Sequence, residues 1–285
     1  MSEAQILSFG DAQRARGRSR PPVLDLEVLK GRQPTVSIAD CHAALSGVSV
    51  VHKMKTREVN YFHDLSVAFP RGRKIAILGH REVGQQFILE LLTRRLAPTL
   101  GTVHINSRIS WMVPETRFFE VKGSLRENMV FFGRIMGVDP KTLMQAALSI
   151  GELPPQALRE PVRNLPNWAV RRIGVVLLYF CDFDLHLVGR FQERALQFDD
   201  EEDAAEFMNL VYGRDYIAMC EDPKNVPDSC NLLYLLYEGV LYQFEDIMLG
   251  KDVFDVLPKP ATGPRSEREK DDEFEEDDEL REDYF

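Results

Sequence analysis

Apolar positions along the chain change period several times, and each change predicts an element. Ile75-Ala76-Ile77-Leu78 is an unbroken apolar run, as expected of a strand buried on both faces. The run stops at Gly79, crosses to Gly84, and resumes with helical spacing, Phe87, Ile88, Leu91 and Leu92 falling on one face of a helix over about 85–95. Upstream, Val36 and Ile38, then Val48 and Val50, alternate with polar residues and predict two short strands. Leu65–Phe69 predicts a third, closed by the turn Pro70-Arg71-Gly72-Arg73. Downstream, strands are expected at 103–105 and 109–113, followed by helices over 125–136, ended by Gly137, and 140–150. Trp168–Val176 is amphipathic and basic, and 184–189 has the character of a buried strand. A helix over 201–212, a strand at 216–220, a hairpin over 232–244 turning at Glu238-Gly239, and a last helix over 244–254 complete the pattern. An antiparallel opening followed by alternating strands and helices predicts an α/β fold with a mostly parallel sheet.

With 285 residues, 44% of them hydrophobic, the chain has material for a sizeable core. Its net charge of −10 is uneven: residues 265–285 hold 12 acidic against 4 basic residues. Arg14, Arg16, Arg18 and Arg20 form a small basic arm before Pro21-Pro22. Neither end carries enough apolar surface to order itself, so the expected layout is a flexible arm over 1–33, one domain over 34–255 and a disordered acidic tail over 256–285. The arm is read as solvated; contact with nucleic acid or anionic lipid is the other reading, and no nucleic-acid partner is expected. Cys41, Cys181, Cys220 and Cys230 lack CxxC or His/Cys metal spacing and read as reduced thiols, which suits the cytosol. No apolar run reaches 18 residues, so membrane contact is expected through a partner.

The candidate chemistry centres on Gly79-His80-Arg81-Glu82-Val83-Gly84-Gln85-Gln86. Strand, glycine loop and helix are the scaffold of a phosphate-binding loop, whose backbone N–H groups hold anionic oxygens. The Gly-x-x-x-x-Gly spacing is intact, but the next two positions should be Lys and then Ser or Thr. Gln85 can donate hydrogen bonds but cannot balance phosphate charge, and Gln86 lacks the compact hydroxyl that ligates Mg²⁺. Glu82 adds a carboxylate where an anion would lie. Taken alone, the frame is equally that of an ordinary strand–turn–helix. Asp182, Asp184 and His186 suggest a metal cluster less well than they suggest solvated and core positions on an alternating strand.

Two further stretches carry a family resemblance. Ser124–Asn128 through Phe131–Asp139, and Pro161–Arg163 through Arg171–Ile173 and Phe183–Val188, resemble segments of the ATP-binding subunits of ABC transporters. The subgroup exporting capsular polysaccharide and O-antigen is the most similar, and the resemblance covers 34–255. It implies a P-loop NTPase-like ABC nucleotide-binding domain: a mostly parallel sheet with helices, an antiparallel β subdomain, and a helical subdomain at about 115–175. It also implies transmembrane partner subunits, pairing with an ATP-binding subunit as homo- or heterodimer, and a peripheral place on the inner face of the plasma membrane. In that family the region of Phe118 and Phe119 faces the membrane subunit, so an aromatic partner contact is one reading of the pair and simple core packing the other; Trp168 is likewise read as core or interface.

The same comparison exposes departures at each catalytic station. The signature serine and glycine correspond to a segment reading Leu165-Pro166-Asn167-Trp168. The strand expected to end in the Mg²⁺ ligand and general base ends in Gly189-Arg190, and the switch histidine corresponds to Glu221. The adenine-stacking aromatic before Lys53 is also missing. No catalytic residue, no metal and no cofactor are therefore expected; ATP and Mg²⁺ would be used only if the family function were retained. The expectation is a catalytically degenerate subunit in polysaccharide export. The alternatives are an asymmetric ATPase dimer with residual activity and a soluble scaffold or regulator of glycan synthesis. An internal ion pair or capping contact of Arg190 with Glu82 or Glu221 is expected to fill the phosphate site; a loop that is simply disordered and solvated is the other reading.

Overall fold

The computed structural model describes residues 37–53, 58–80, 84–113, 115–189, 196–198 and 200–258; the basic arm and most of the acidic tail lie outside them. Strands β1 (Cys41–Lys53) and β2 (Glu58–Pro70) pair antiparallel, and β4 (Leu100–Ile105) joins β1 on its other side. The second sheet runs β5 (Ile109–Val113), β6 (Leu185–Val188), β7 (Tyr216–Cys220), β3 (Lys74–Leu78), β8 (Leu232–Tyr237) and β9 (Val240–Phe244). Its pairs are parallel except β8 with β9. The central strand β3 is flanked on both edges, which accounts for its unbroken apolar run: Ile75 through Leu78 are each 0% exposed.

Helix α1 (Gln85–Leu92) packs Ile88, Leu89, Leu91 and Leu92 into the core shared by the two sheets. Helices α2 (Leu125–Met136), α3 (Pro140–Ile150) and α4 (Asn167–Phe180) form a second core around Leu125, Met129, Leu143, Ala147, Ile173 and Leu177. The ends of α2 are written in sequence. Ser124 and Glu127 form a reciprocal capping box, and Gly137 stops the helix at φ +70°. The Ser124 hydrogen bonds hold the Glu127 carboxyl below its usual range. Pro140 opens α3 behind an Asp139 cap. Helices α5 (Glu201–Tyr212) and α6 (Ile247–Val256) complete the described elements, α6 against β8 and β9. Among the described residues no helix is long and apolar enough to cross a membrane.

One buried histidine ties the two sheets together. His42, at the start of β1, places Nε2 2.8 Å from Asp215 Oδ2 and Nδ1 2.8 Å from Ser107 Oγ. The same Asp215 oxygen accepts the Gly72 N–H at 2.6 Å. Two turns thus meet the imidazole at the start of β1, and a third, at Gly72, joins through Asp215.

Several expectations shift. Ile38 sits in a short 3-10 turn (Ile38–Asp40) instead of a strand, and Val48 and Val50 belong to one long β1. The long strand survives its polar residues because irregularities in the β1–β2 pairing between Leu45 and Val51 re-aim the side chains. Helix α1 ends at Leu92, where the Thr93 hydroxyl donates to Leu89 O at 3.0 Å and Arg94 turns left-handed at φ +58°. The last helix begins at Ile247 behind Asp246, whose carboxylate accepts the Leu249 N–H.

Candidate functional site

β3 delivers Gly79 to the carboxyl end of the sheet, where its N–H donates to Cys220 O at 3.1 Å. His80 follows, its ring centroid 4.5 Å from that of Phe254 on α6. Arg81, Glu82 and Val83 lie outside the described residues. Gly84 adopts φ +81°, and a Cβ there would meet the Tyr61 ring at 2.5 Å, so the position requires glycine twice over. It precedes α1 without a side-chain cap, and its carbonyl accepts the Phe87 N–H at 3.0 Å. The Tyr61 and Phe87 rings meet at 4.5 Å and lie against this turn. Gln85, the first helical residue, is 0% exposed. Neither its Nε2 nor its Oε1 has a hydrogen-bond partner among the described residues, and the same holds for Gln86 Oε1.

β6 and β7 carry two more stations to the same edge. Leu78 pairs with Cys220 and Ala218 with Val188, so Gly79, Glu221 and Gly189 leave three neighbouring parallel strands at their carboxyl ends. That edge is where open α/β sheets bind ligands. The Gly189 N–H donates to Val113 O at 2.7 Å. A Cβ on Gly189 would stand 3.0 Å from the Met112 side chain and 3.3 Å from Val113 O. A side chain there would require the Met112 side chain to give by a few tenths of an ångström. Glu221 is half-buried with Oε1 shut off from solvent. Arg190 lies outside the described residues, and with it the expected ion pair to Glu82 or Glu221.

The segment Leu165–Trp168 belongs to the helical layer. Leu165 is buried, Pro166 and Asn167 are exposed, and Pro166 precedes α4 with no side-chain cap. Trp168 is half-buried, its ring 4.6 Å from the Arg172 guanidinium. The Phe118–Phe119 pair, read either as a partner contact or as core packing, turns inward. Phe119 is 5% exposed within the core of the helical layer, and Phe118 packs on Trp111 at 4.7 Å and on Phe132 at 5.4 Å. These rings are held by other aromatics, which fill the seam between β5 and α2. Beside them opens a groove of about 380 Å³ lined by Leu92, Arg95, Ile105, Trp111, Met112 and Glu115, among others. Across its rim Arg95 grips Glu115 with both guanidinium arms, at 2.6 and 2.8 Å.

Asp182 and Asp184 do not join His186. Both carboxylates face Arg108, while His186 is 2% exposed with Nδ1 at 2.9 Å from Val211 O. Among the described residues no set of His, Cys, Asp and Glu could hold a metal ion. Sequence reasoning missed Tyr61, which sits on a strand edge far from the loop in the chain, and Arg172, which it grouped with Arg171 as part of a basic stripe. The pairing of two long strands was the signal for the first; a cation at a core-facing helical position was the signal for the second.

The fold is that of ABC nucleotide-binding domains. A dimeric ATP-binding cassette, MJ0796, in a post-hydrolysis state with ADP and Pi, superposes with a TM-score of 0.55 at 15% identity, covering 71% of this chain and 97% of its own. CbiO1 from Clostridium perfringens, part of the ABC transporter complex cbiONQ, gives 0.53 at 16% identity over 76% and 92%. In sequence, the capsule polysaccharide export ATP-binding protein CtrD of Neisseria meningitidis is 26% identical over 204 residues, 69% of this chain and 90% of CtrD. The ATP-binding protein BexA of Haemophilus influenzae is 24% identical over 65% and 84%. The polysialic acid transport ATP-binding protein KpsT of Escherichia coli is 25% identical over 48% and 65%. No protein-family model matches the chain.

Proposed function

We propose that this chain is a catalytically silent ABC-type subunit in the export of a capsular or other cell-surface polysaccharide, acting as a structural or regulatory partner. Its similarity to CtrD, BexA and KpsT supports the export assignment. The observation that carries the silent reading is Gln85. At the position of the phosphate-binding lysine stands a neutral amide that is completely buried, under a turn packed by Tyr61 and Phe87. A loop that takes nucleotide keeps its first helical N–H groups and its lysine open to the phosphates. Here Gln85 is withdrawn from solvent, Tyr61 and Phe87 stack against Gly84, and the Met112 side chain borders Gly189. The described residues therefore fit MgATP poorly, and no hydrolytic step is assigned to them.

In this reading the chain sits on the cytoplasmic face of the membrane, held by transmembrane subunits. The groove beside Trp111 and the Arg95–Glu115 pair is the seat for a segment of such a subunit, because it is concave, mostly apolar and bordered by charge. The test is recovery of partners from native membranes with the intact chain, together with nucleotide affinity and steady-state phosphate release. Recovery of a transmembrane subunit, with phosphate release at the buffer level, supports the proposal. Recovery of an ATPase partner alone points to an asymmetric dimer. Micromolar MgATP binding by the unmodified chain, equal to that of a variant carrying Gln85→Lys, Gln86→Ser, Gly189→Asp and Arg190→Glu, overturns the silent reading.

A further inference from the structure

Arg172 lies on α4 facing inward and is 1% exposed, the largest fully buried side chain among the described residues. Nothing in the site described above uses it. Its Nε donates to Leu196 O at 2.8 Å and its Nη2 to Gln197 O at 2.6 Å. Its Nη1 faces Glu152 Oε1 at 2.5 Å and, more loosely, Ile150 O at 3.4 Å. The guanidinium carbon also lies over the Trp168 ring at 4.6 Å and over the Phe198 ring at 3.9 Å. The fork thus combines hydrogen bonds with two aromatic contacts, which uses nearly all the recognition capacity an arginine has.

The partners belong to different parts of the molecule. Ile150 ends α3 and Glu152 follows it, in the helical layer, whereas Leu196–Phe198 lies between β6 and α5, in the segment that follows a strand of the sheet. Two of the residues that meet the guanidinium, Glu152 and Gln197, take left-handed backbone conformations at φ +49° and +52°. Non-glycine residues accept that conformation where the surroundings impose it. Both loops are thus bent to bring acceptors to one cation.

We infer that Arg172 is a clamp that fixes the helical layer to the segment after β6 in the absence of any bound nucleotide. A rotation of α2–α4 against the sheet must withdraw the guanidinium from Leu196 and Gln197 and open the Phe198 stack. A buried cation cannot lose these partners without leaving a desolvated charge, so the clamp resists opening strongly. The inference is independent of whether the phosphate loop binds nucleotide, since none of its residues takes part.

Two variants separate a clamp from ordinary packing: Arg172→Met, which keeps the bulk, and Arg172→Lys, which keeps the charge but loses the fork. A third, Glu152→Gln, removes only the solvent-facing partner and protects the test should the first two fold poorly. The first readout is amide exchange of the full chain. Arg172→Met and Arg172→Lys are expected to speed exchange in the α3–α4 connection and in α5 on the order of tenfold to a hundredfold, with β3 and β7 unchanged. Glu152→Gln should give a smaller effect confined to the same segments.

The second readout is a spin-label distance. Labels at Lys141→Cys and Lys224→Cys span the two parts, and labels at Lys224→Cys and Glu245→Cys serve as a control within the sheet side; all three positions are exposed. The spanning distribution should broaden in Arg172→Met while the control stays narrow. Uniformly faster exchange, or a spanning distribution as narrow as in the parent, would show that Arg172 only fills space.

Discussion

Replacing Gln85 with methionine removes a primary amide from a completely buried position while keeping the length of the side chain. Both polar atoms lack partners among the described residues, so the folded state bears their desolvation without compensation. Mutational data put the cost of such a group at about 1–3 kcal/mol. Methionine carries no polar atom, its flexible thioether adapts to irregular space, and its helix propensity matches that of glutamine. The variant should therefore be more stable by about 1–3 kcal/mol, with a rise in Tm of roughly 2–10 °C for a domain of this size. Equilibrium unfolding in guanidinium, read as a shift in midpoint at constant slope, measures it directly. A drop in stability would refute the reasoning, because it would mean that the amide is satisfied by a group outside the described residues. A companion, Gln85→Glu, should lose stability, since it asks the same enclosed site to take a charge.

Burial holds the His186 imidazole below its usual 6.5, against the opposing Val211 hydrogen bond, with Arg214 adding to the depression. A depressed folded-state value favours the neutral ring, so stability is full above about pH 6.5 and falls as the pH drops below it; His186→Phe should flatten that slope in urea titrations. Burial pushes the Cys220 thiol up to about 12 and the Cys181 thiol up to about 11, and Cys41 and Cys230 are buried and raised as well. Iodoacetamide at neutral pH should therefore label the native chain far more slowly than the unfolded one, which mass spectrometry resolves site by site. Gly84→Ala should cost about 1–3 kcal/mol through its backbone alone, and the loss should shrink in a Tyr61→Ala background, where the 2.5 Å clash is gone.

Local chemistry made much of the fold legible. The continuous run Ile75–Leu78 announced a central strand, and Ser124, Glu127 and Gly137 marked both ends of α2 because capping is a short-range matter. The same is true of the turn into α1, since Gly84 is demanded by backbone geometry regardless of what the loop binds. The stations at Gly189 and Glu221 could be placed beside it because parallel strands discharge at one edge. What stayed hidden depends on contacts between distant segments. Tyr61 reaches Gly84 from another sheet, Arg172 reads as a surface cation until its four acceptors are seen, and Phe119 reads equally as interface or core until Phe132 and Phe118 enclose it. Periodicity reports which face of an element is apolar; it does not report which neighbour that face meets.

The imidazole of His42 has a mechanical consequence. It joins the start of β1 to Ser107 and Asp215, and Asp215 in turn holds the turn at Gly72. One corner of the molecule is therefore riveted by polar contacts, and a second tie lies along β2, where the Tyr234 hydroxyl donates to Ala68 O at 2.7 Å. The two sheets are thus pinned at two places over one shared apolar core, and they resist twisting against each other as a plank held by two nails does, where a single nail would let it turn.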